Sequence, residues 1–423
     1  MIVLSLQSGT SADGVDVAVV ELTRLDASDR PALALRVLFT ATVDWAPELR
    51  ERILSATAGE PLTAGEITVL DTRLGQAFAD AAVAGMGAAD VVPDLVVSHG
   101  QTLFHWVDGA RAQGTLQLGE PAWIAEAVGA PVLSDLRMAD IAAGGEGAPL
   151  MALFDRAWLG AEAAAAGRAI ATVNLGGIAN VQVVRPGGDV VAFDSGPGNG
   201  LLDAVVVRAT QGALAFDADG RLAAAGRIDE RLLDELLRHP YFAAPVPKTT
   251  GRETFDLGVV DRAVAASAAA LTSGTAPTGA AGTAPSSPPL EDLAATLTEL
   301  TARIVVDAIP ADDDPAVLIA SGGGARNRVL LARLGELAAE RGIAVESSDA
   351  RGIDPAFKES LMFAVLGFLS WHGIPARLSA GGSGEPRVAG RFTSGRVPLQ
   401  LPPQLAGVAS VTITSTDHGG APR

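Results

Sequence analysis

A pattern that occurs twice constrains the fold most: a short apolar run, a glycine-bearing polar turn, and a second apolar run. In the first copy, Ile2 to Leu6 and Val15 to Leu22 flank Gly9-Thr10-Ser11-Ala12-Asp13-Gly14. In the second, 169–175 passes through Gly176-Gly177 into 179–184. Runs of this length bounded by turn residues read as strands, and the short turn between them makes each copy a hairpin. After the first hairpin, 46–58 and 64–86 read as helices and 93–98 as a buried strand with polar residues at its end. After the second, 291–309, 327–341 and 358–371 read as helices and 316–320 as a strand. Two hairpins, each followed by mixed strands and helices, imply two related α/β domains that share a cleft. At 423 residues the chain is long enough for both, given roughly 100–200 residues per domain.

Composition narrows what such a chain does. Hydrophobic residues make up 48% and charged residues 19%, which suits a globular protein, while 48 Gly and 25 Pro imply many turns. The net charge of -18 sets an unfavourable long-range field against nucleic acid and anionic membrane surfaces. With no cysteine, disulfides, thiolate metal sites and a cysteine nucleophile are excluded. The first residues lack a basic leader pattern and no apolar run approaches the roughly 20 residues of a membrane span, so a cytoplasmic protein is expected. The stretch 272–289 has no large apolar side chain and is expected to be a disordered insertion. The last twenty or so residues are expected to be mobile.

Chemistry-bearing residues collect at the turns. Glycines in the Gly9 turn allow backbone amides to approach an anion, and Thr10 and Ser11 add hydroxyl donors, so the turn suits a phosphate. Asp13 and Asp16 are placed to order waters around Mg²⁺; an ordinary hairpin turn explains the same residues. No Gly-x-x-x-x-Gly-Lys-Ser/Thr sequence is present, and neither protein-kinase signature occurs. Asp194 ends the apolar run 190–193 and heads Ser195-Gly196-Pro197-Gly198, as a general base or as the cap of a helix over 201–210. Ser98-His99-Gly100-Gln101-Thr102 and Ser134-Asp135-Leu136-Arg137 supply hydrogen-bonding groups of the kind a sugar needs. Arg137 has the alternative of pairing with Asp135 or Asp140, and His99 that of a structural histidine. Ser321-Gly322-Gly323-Gly324, leading to Asn327, has the form of a strand-to-helix anion turn. Glu359 opens a largely apolar helix, aimed into a cleft or complementing the helix dipole.

Taken in order, these segments together with Asp140-Ile141-Ala142-Ala143-Gly144-Gly145, Asn174-Leu175-Gly176-Gly177-Ile178-Ala179-Asn180 and Thr250-Gly251-Arg252-Glu253 closely resemble the anhydro-N-acetylmuramic acid kinase family. The resemblance runs from the first strand to about Gly367, and the order and number of motifs carry it. Two departures stand out. Ala12 occupies a position where the family often has Met, and the segment after Ser379 is expanded.

The resemblance implies an actin/Hsp70/sugar-kinase fold: α/β, with two actin-like (ribonuclease H-like) domains around a nucleotide cleft. The expected boundaries are 1–137 and 138–366, followed by a segment 367–423 that packs back on the first domain. Implied with it are ATP and Mg²⁺ as cofactors, an amino-sugar substrate, and a cytoplasmic homodimer. Family members open the 1,6-anhydro bond of the cell-wall sugar with water and phosphorylate the released O6. By position, Asp194 matches the base that activates water and Glu359 a second acidic group at the sugar. The turn Gly9, Thr10, Ser11, Ala12, Asp13, Gly14, Val15 and Asp16, with Gly176, Gly177, Gly322, Gly323 and Asn327, would bind the nucleotide. His99, Gln101, Asp135 and Arg137 would bind the sugar; the metal ligands stay unassigned. Two other classes stay open on the residues alone: a nucleotide-dependent switch protein of the actin or Hsp70 kind, and a glycosidase using Asp194 and Glu359.

Overall fold

The computed structural model describes residues 1–9, 12–109, 111–251, 254–273, 288–378 and 385–414, with backbone alone at 270–273. The phosphate-turn residues Thr10 and Ser11, the motif residues Arg252 and Glu253, most of the expected insertion and the last nine residues lie outside the described residues.

The chain forms two compact units. Unit 1 comprises Met1–Ala161, Arg351–Ile353 and Phe357–Arg423, and unit 2 comprises Glu162–Ala350 and Asp354–Ala356. This division differs from the boundaries at 137/138 and 366/367 read from the sequence. Residues 138–161 and the helix that starts at Lys358 both pack in unit 1.

Unit 1 opens with β1 (Ile2–Ser8), β2 (Gly14–Arg24) and β3 (Ala32–Asp44), an antiparallel meander. Helices α1 (Pro47–Thr57) and α2 (Ala64–Ala89) follow, and then β4 (Leu95–Asp108), which lies parallel to β1. The strand β4 runs well past the expected end at residue 98 because it pairs with β5 (Arg111–Leu118) in a second hairpin. Next come α3 (Pro121–Val128), β6 (Val132–Ser134), α4 (Met138–Ala142) and α5 (Met151–Ala166).

Unit 2 repeats the scheme with the antiparallel strands β7 (Ile170–Leu175), β8 (Ile178–Val184) and β9 (Val190–Pro197). Then follow α6 (Gly200–Ala209), α7 (Arg221–Ala225), α8 (Glu230–Leu237), α9 (Leu257–Ser273) and α10 (Leu290–Ala308). The strand β10 (Val317–Ser321) adds in parallel beside β7, and α11 (Arg328–Ala339) leads to β11 (Ala344–Ser347), parallel to β10. The chain returns to unit 1 with α12 (Lys358–Trp371), β12 (Arg391–Thr393) and β13 (Ser410–Thr414).

The strand orders are β12-β6-β4-β1-β2-β3-β13 and β11-β10-β7-β8-β9. In each sheet, a meander of three strands carries parallel strands on the outer side of its first member. The paired hairpins thus head two α/β units, as the sequence implies, and the arrangement is the actin-like, sugar-kinase one that the resemblance implies.

Alternation in the strands explains the layering of unit 1, since successive side chains point to opposite faces. Val3, Ala18, Val20, Leu95 and Val97 pack with Phe154 of α5 and Leu361, Val365 and Phe368 of α12. Leu4, Leu6, Val17, Val19 and Val96 pack with Leu70, Leu74 and Phe78 of α2. The unit 2 sheet is covered by Ala302 and Val305 of α10 and Leu330 and Leu334 of α11. A separate helical core joins α6, α8, α9 and α10. Among the described residues, no helix is long and apolar enough to cross a membrane.

Candidate active site

Functional side chains lie where the meander strands end. In unit 1 the register sets Gln7, Asp16 and Thr42 side by side on β1, β2 and β3. The Thr42 hydroxyl donates to Asp16 Oδ1 at 2.6 Å, and Gln7 Nε2 lies 3.4 Å from Asp16 Oδ2 and from Ser360 Oγ. Burial raises the Asp16 pKa, partly offset by the Thr42 and Gln7 bonds, and the charge of Asp13 raises it further. The loop between β1 and β2 is tied down from α1. Arg50 Nε donates to the Ala12 carbonyl at 3.0 Å, and its NH2 lies 3.4 Å from Asp13 Oδ1. Ala12 is buried and holds a left-handed backbone, φ 51°.

The other unit 1 candidates come from β4 and the start of α12. His99 is buried and stacks on Phe363 with ring centroids 4.7 Å apart. Desolvation, then the nearby Arg137 charge, push its pKa well down, so it is neutral. Arg137 NH2 lies 3.2 Å from His99 Nε2, which makes that nitrogen the acceptor and puts the proton on Nδ1. Among the described residues, Arg137 Nε is buried without a hydrogen-bond partner. Burial lowers the Arg137 pKa and Glu359 pushes it back up. For Glu359, desolvation raises the pKa most, Arg137 lowers it, and Asp16 raises it again. Its surface stays open to solvent, and water there offsets part of the desolvation penalty.

Two expected sugar ligands make contacts within unit 1. Gln101 is fully buried, and its amide donates to the Gly9 carbonyl at 3.3 Å, bracing the turn after β1. Asp135 is ion-paired with Arg391 of β12.

In unit 2 the register lines up Ser321, Asn174, Asn180 and Asp194 across β10, β7, β8 and β9. Asp194 Oδ1 accepts from Asn180 Nδ2 at 2.7 Å. Its Oδ2 accepts from the Thr249 hydroxyl at 2.9 Å and the Thr250 amide at 3.0 Å. The backbone is clamped as well, since the Tyr241 hydroxyl donates to the Asp194 carbonyl at 2.8 Å and the Asp194 amide to Lys248 O at 2.9 Å. The carboxylate is therefore held by an oriented set of donors and does not serve as the side-chain cap of α6.

The glycine turns of unit 2 interlock. Gly176 and Gly177 carbonyls accept the amides of Asn199, Gly198 and Gly200. A Cβ on Gly198 would stand 2.2 Å from the Gly176 oxygen, so only glycine fits. Gly322 has φ +82°, and a Cβ there would meet Asn174 Oδ1 at 2.3 Å. Gly323 has open space around it. The Asn327 side chain caps α11, accepting from Val329 and Leu330 amides at 3.1 Å.

The structure thus gathers Asp16, His99, Arg137 and Glu359 in unit 1, and Asp194, Gly176, Gly177, Gly322 and Asn327 in unit 2. The sequence did not single out Gln7, Thr42, Arg50, Tyr241 or Thr249, nor the Thr172–Gln182 pair, whose hydroxyl-to-amide bond of 2.8 Å lies beside Asn180 in the same sheet. A signal existed for some of them: polar residues two apart, Thr172 and Asn174 or Asn180 and Gln182, in otherwise apolar strands.

The model of the anhydro-N-acetylmuramic acid kinase family matches residues 1–394. This chain belongs to that family. Relatives of that description include a protein of Streptomyces coelicolor, 46% identical over 408 residues, covering 95% of this chain and 96% of the relative. Another, from Rhodococcus erythropolis, is 41% identical over 425 residues and covers 98% of each chain. Solved structures are more remote. A ROK family glucokinase from Streptomyces griseus, in complex with glucose and AMPPNP, matches at 14% identity and TM-score 0.34, covering 87% of this chain and 99% of that one. A score that low says nothing about function. Membership makes the protein a kinase acting on a small amino sugar, and sets aside the switch-protein and glycosidase readings.

Proposed function

We propose that this kinase uses ATP to phosphorylate O6 of 1,6-anhydro-N-acetylmuramic acid while water opens the anhydro bridge, giving N-acetylmuramic acid 6-phosphate and ADP. The observation that carries the chemistry is the Asp194 carboxylate, held at both oxygens by Asn180, Thr249 and Thr250. In this reading Asp194 takes a proton from water, whose oxygen bonds to the anomeric carbon as the C1–O6 bond breaks. The released O6 carries oxyanion character and attacks the γ-phosphorus, and the β–γ bridging oxygen departs with ADP. Water attacking the face opposite O6 inverts the anomeric carbon.

The remaining residues take supporting parts. Arg137, with its partnerless buried Nε, donates to a substrate oxygen, beside the neutral His99. Glu359 assists at the sugar. The Gly9–Asp16 turn, Gly176, Gly177, Gly322, Gly323 and Asn327 hold the nucleotide. Among the described residues, no group of three His, Asp or Glu side chains could hold a metal directly. The charge of Asp13 nevertheless adds to the cost of ionising Asp16 at this turn, which fits Mg²⁺ held through one or two carboxylates, water and phosphate. When bound, Mg²⁺ would neutralise charge on the transferring phosphate.

Incubation with ATP, Mg²⁺ and the anhydro sugar in ¹⁸O water tests this reading. Label is expected in the anomeric hydroxyl and not in phosphate; absence of any sugar phosphate would sink it. Asp194→Asn is expected to abolish turnover and leave ATP binding intact. A cytoplasmic homodimer goes with the same reading, and sedimentation of the purified protein reads the assembly.

A further inference from the structure

We propose that Thr172, Gln182 and Asn180 form a one-way hydrogen-bond relay that positions the Asp194 carboxylate, so that Gln182 and Thr172 are positioning residues of this kinase. The proposal rests on the reading of Asp194 as the base.

Gln182 and Thr172 are both fully buried, in strands whose other buried residues include Ala171, Val173, Val181 and Val183. A buried amide is costly unless its groups are bonded. Thr172 and Gln182 face each other in register on β7 and β8, and Asn180 sits two residues along β8 on the same face. The Thr172 hydroxyl donates to Gln182 Oε1 at 2.8 Å. That turns Gln182 Nε2 toward Asn180 Oδ1, to which it donates. With its oxygen occupied, Asn180 presents Nδ2 to Asp194 Oδ1 at 2.7 Å.

The polarity of the chain is fixed at its Asp194 end. A carboxylate only accepts, so Asn180 must show it the NH₂ end; reversing any amide sets donor against donor or acceptor against acceptor. Asn180 Nδ2 also donates to the Phe193 carbonyl at 3.3 Å, a second acceptor that favours the same orientation. Gln182 grips the Asn180 oxygen and holds the amide in that place, and the Thr172 hydroxyl satisfies Gln182 Oε1 in turn. With Asn180 locked, Oδ1 is held on one side while Thr249 and Thr250 hold Oδ2, and the carboxylate plane cannot rotate. Supporting groups that orient an active group in this way typically matter by about 10–100-fold, and a base displaced by a fraction of an ångström loses rate without losing substrate.

The test uses the full-length protein with ATP and 1,6-anhydro-N-acetylmuramic acid. Gln182→Met keeps the length and removes both polar ends; Thr172→Val keeps the shape and removes the hydroxyl; Thr172→Ser keeps the hydroxyl. Expected are a fall in kcat of about 10–100-fold for Gln182→Met with both KM values within about twofold of wild type, a smaller fall for Thr172→Val, and recovery in Thr172→Ser. Wild-type kcat in Gln182→Met beside an inactive Asp194→Asn overturns the relay and leaves the base in place. Full turnover in Asp194→Asn overturns the reading of the base and the relay with it. Should Gln182→Met not fold, the threonine pair decides, and equal kcat in Thr172→Val and Thr172→Ser overturns the relay.

Discussion

Asp194 and Glu359 are prepared by opposite physical means. Asp194 is surrounded by donors that fix its orientation, whereas around Glu359, partly open to solvent, desolvation and Asp16 together disfavour the charge more than Arg137, Lys358 and Gln7 favour it. A carboxyl whose folded-state pKa is raised binds its proton more tightly in the folded protein than in the unfolded chain. Ionised Glu359 therefore subtracts from stability, beginning as pH rises past its ordinary value of 4.5 and fully above the raised value. Replacing it with neutral Gln removes that loss. Glu359→Gln is expected to melt at a higher temperature than wild type at pH 7, with the difference closing at pH 4, and to lose about 100-fold or more in turnover. Calorimetry at the two pH values checks the first part; a melting temperature equal to or below wild type at pH 7 counts against it.

Element ends turn on buried polar partners that the sequence does not announce. Lys358 opens α12 almost fully buried, with Nζ 2.8 Å from Asp155 Oδ1, which ties the first residue of α12, next to Glu359, to α5. Lys358→Met leaves the Asp155 charge buried without its lysine and is expected to cost about 3–5 kcal/mol in urea unfolding, while adding Asp155→Leu recovers most of it. If the double variant is no more stable than the single one, the pair is not the source of the cost. Asn327→Ala removes the α11 cap, at about 1 kcal/mol, read from the same unfolding curves. Helices α1, α2, α10 and α12 were legible from sequence because their apolar residues recur with helical period over long stretches. Strand β5 was not, since its side chains are mostly polar and half-exposed and only its pairing with β4 defines it. The site divides in the same way. Residues at strand-end glycine turns stand out locally, but Thr249 reaches Asp194 from 55 positions away, and Arg50 reaches Ala12 from 38.

Across the whole molecule, the repeated meander yields a repeated chemical device. Unit 1 lays Gln7, Asp16 and Thr42 across its three meander strands, and unit 2 lays Asn174, Asn180 and Asp194 across the corresponding three. The acidic member sits on the second strand in one row and on the third in the other, so one scaffold presents a carboxylate at two different places. Unit 1 completes its sheet only with the last described segment, as β12 pairs with β6 at one end and β13 with β3 at the other. That segment also brings Ala389, Leu405 and Val411 into the core and Arg391 to Asp135, two residues from Arg137. Ending the chain after Leu378 deletes these contacts and exposes the edges of β6 and β3, which invites association with other chains. The truncated protein is expected to lose several kcal/mol, or about 10 °C in melting temperature, to scatter light on warming, and to bind the sugar more weakly. Ending the chain after Thr414 keeps both strands, and a melting temperature within about 2 °C of full length is expected there. A truncation at Leu378 that melts like the full chain would show that the sheet of unit 1 does not depend on the strands closing its two ends.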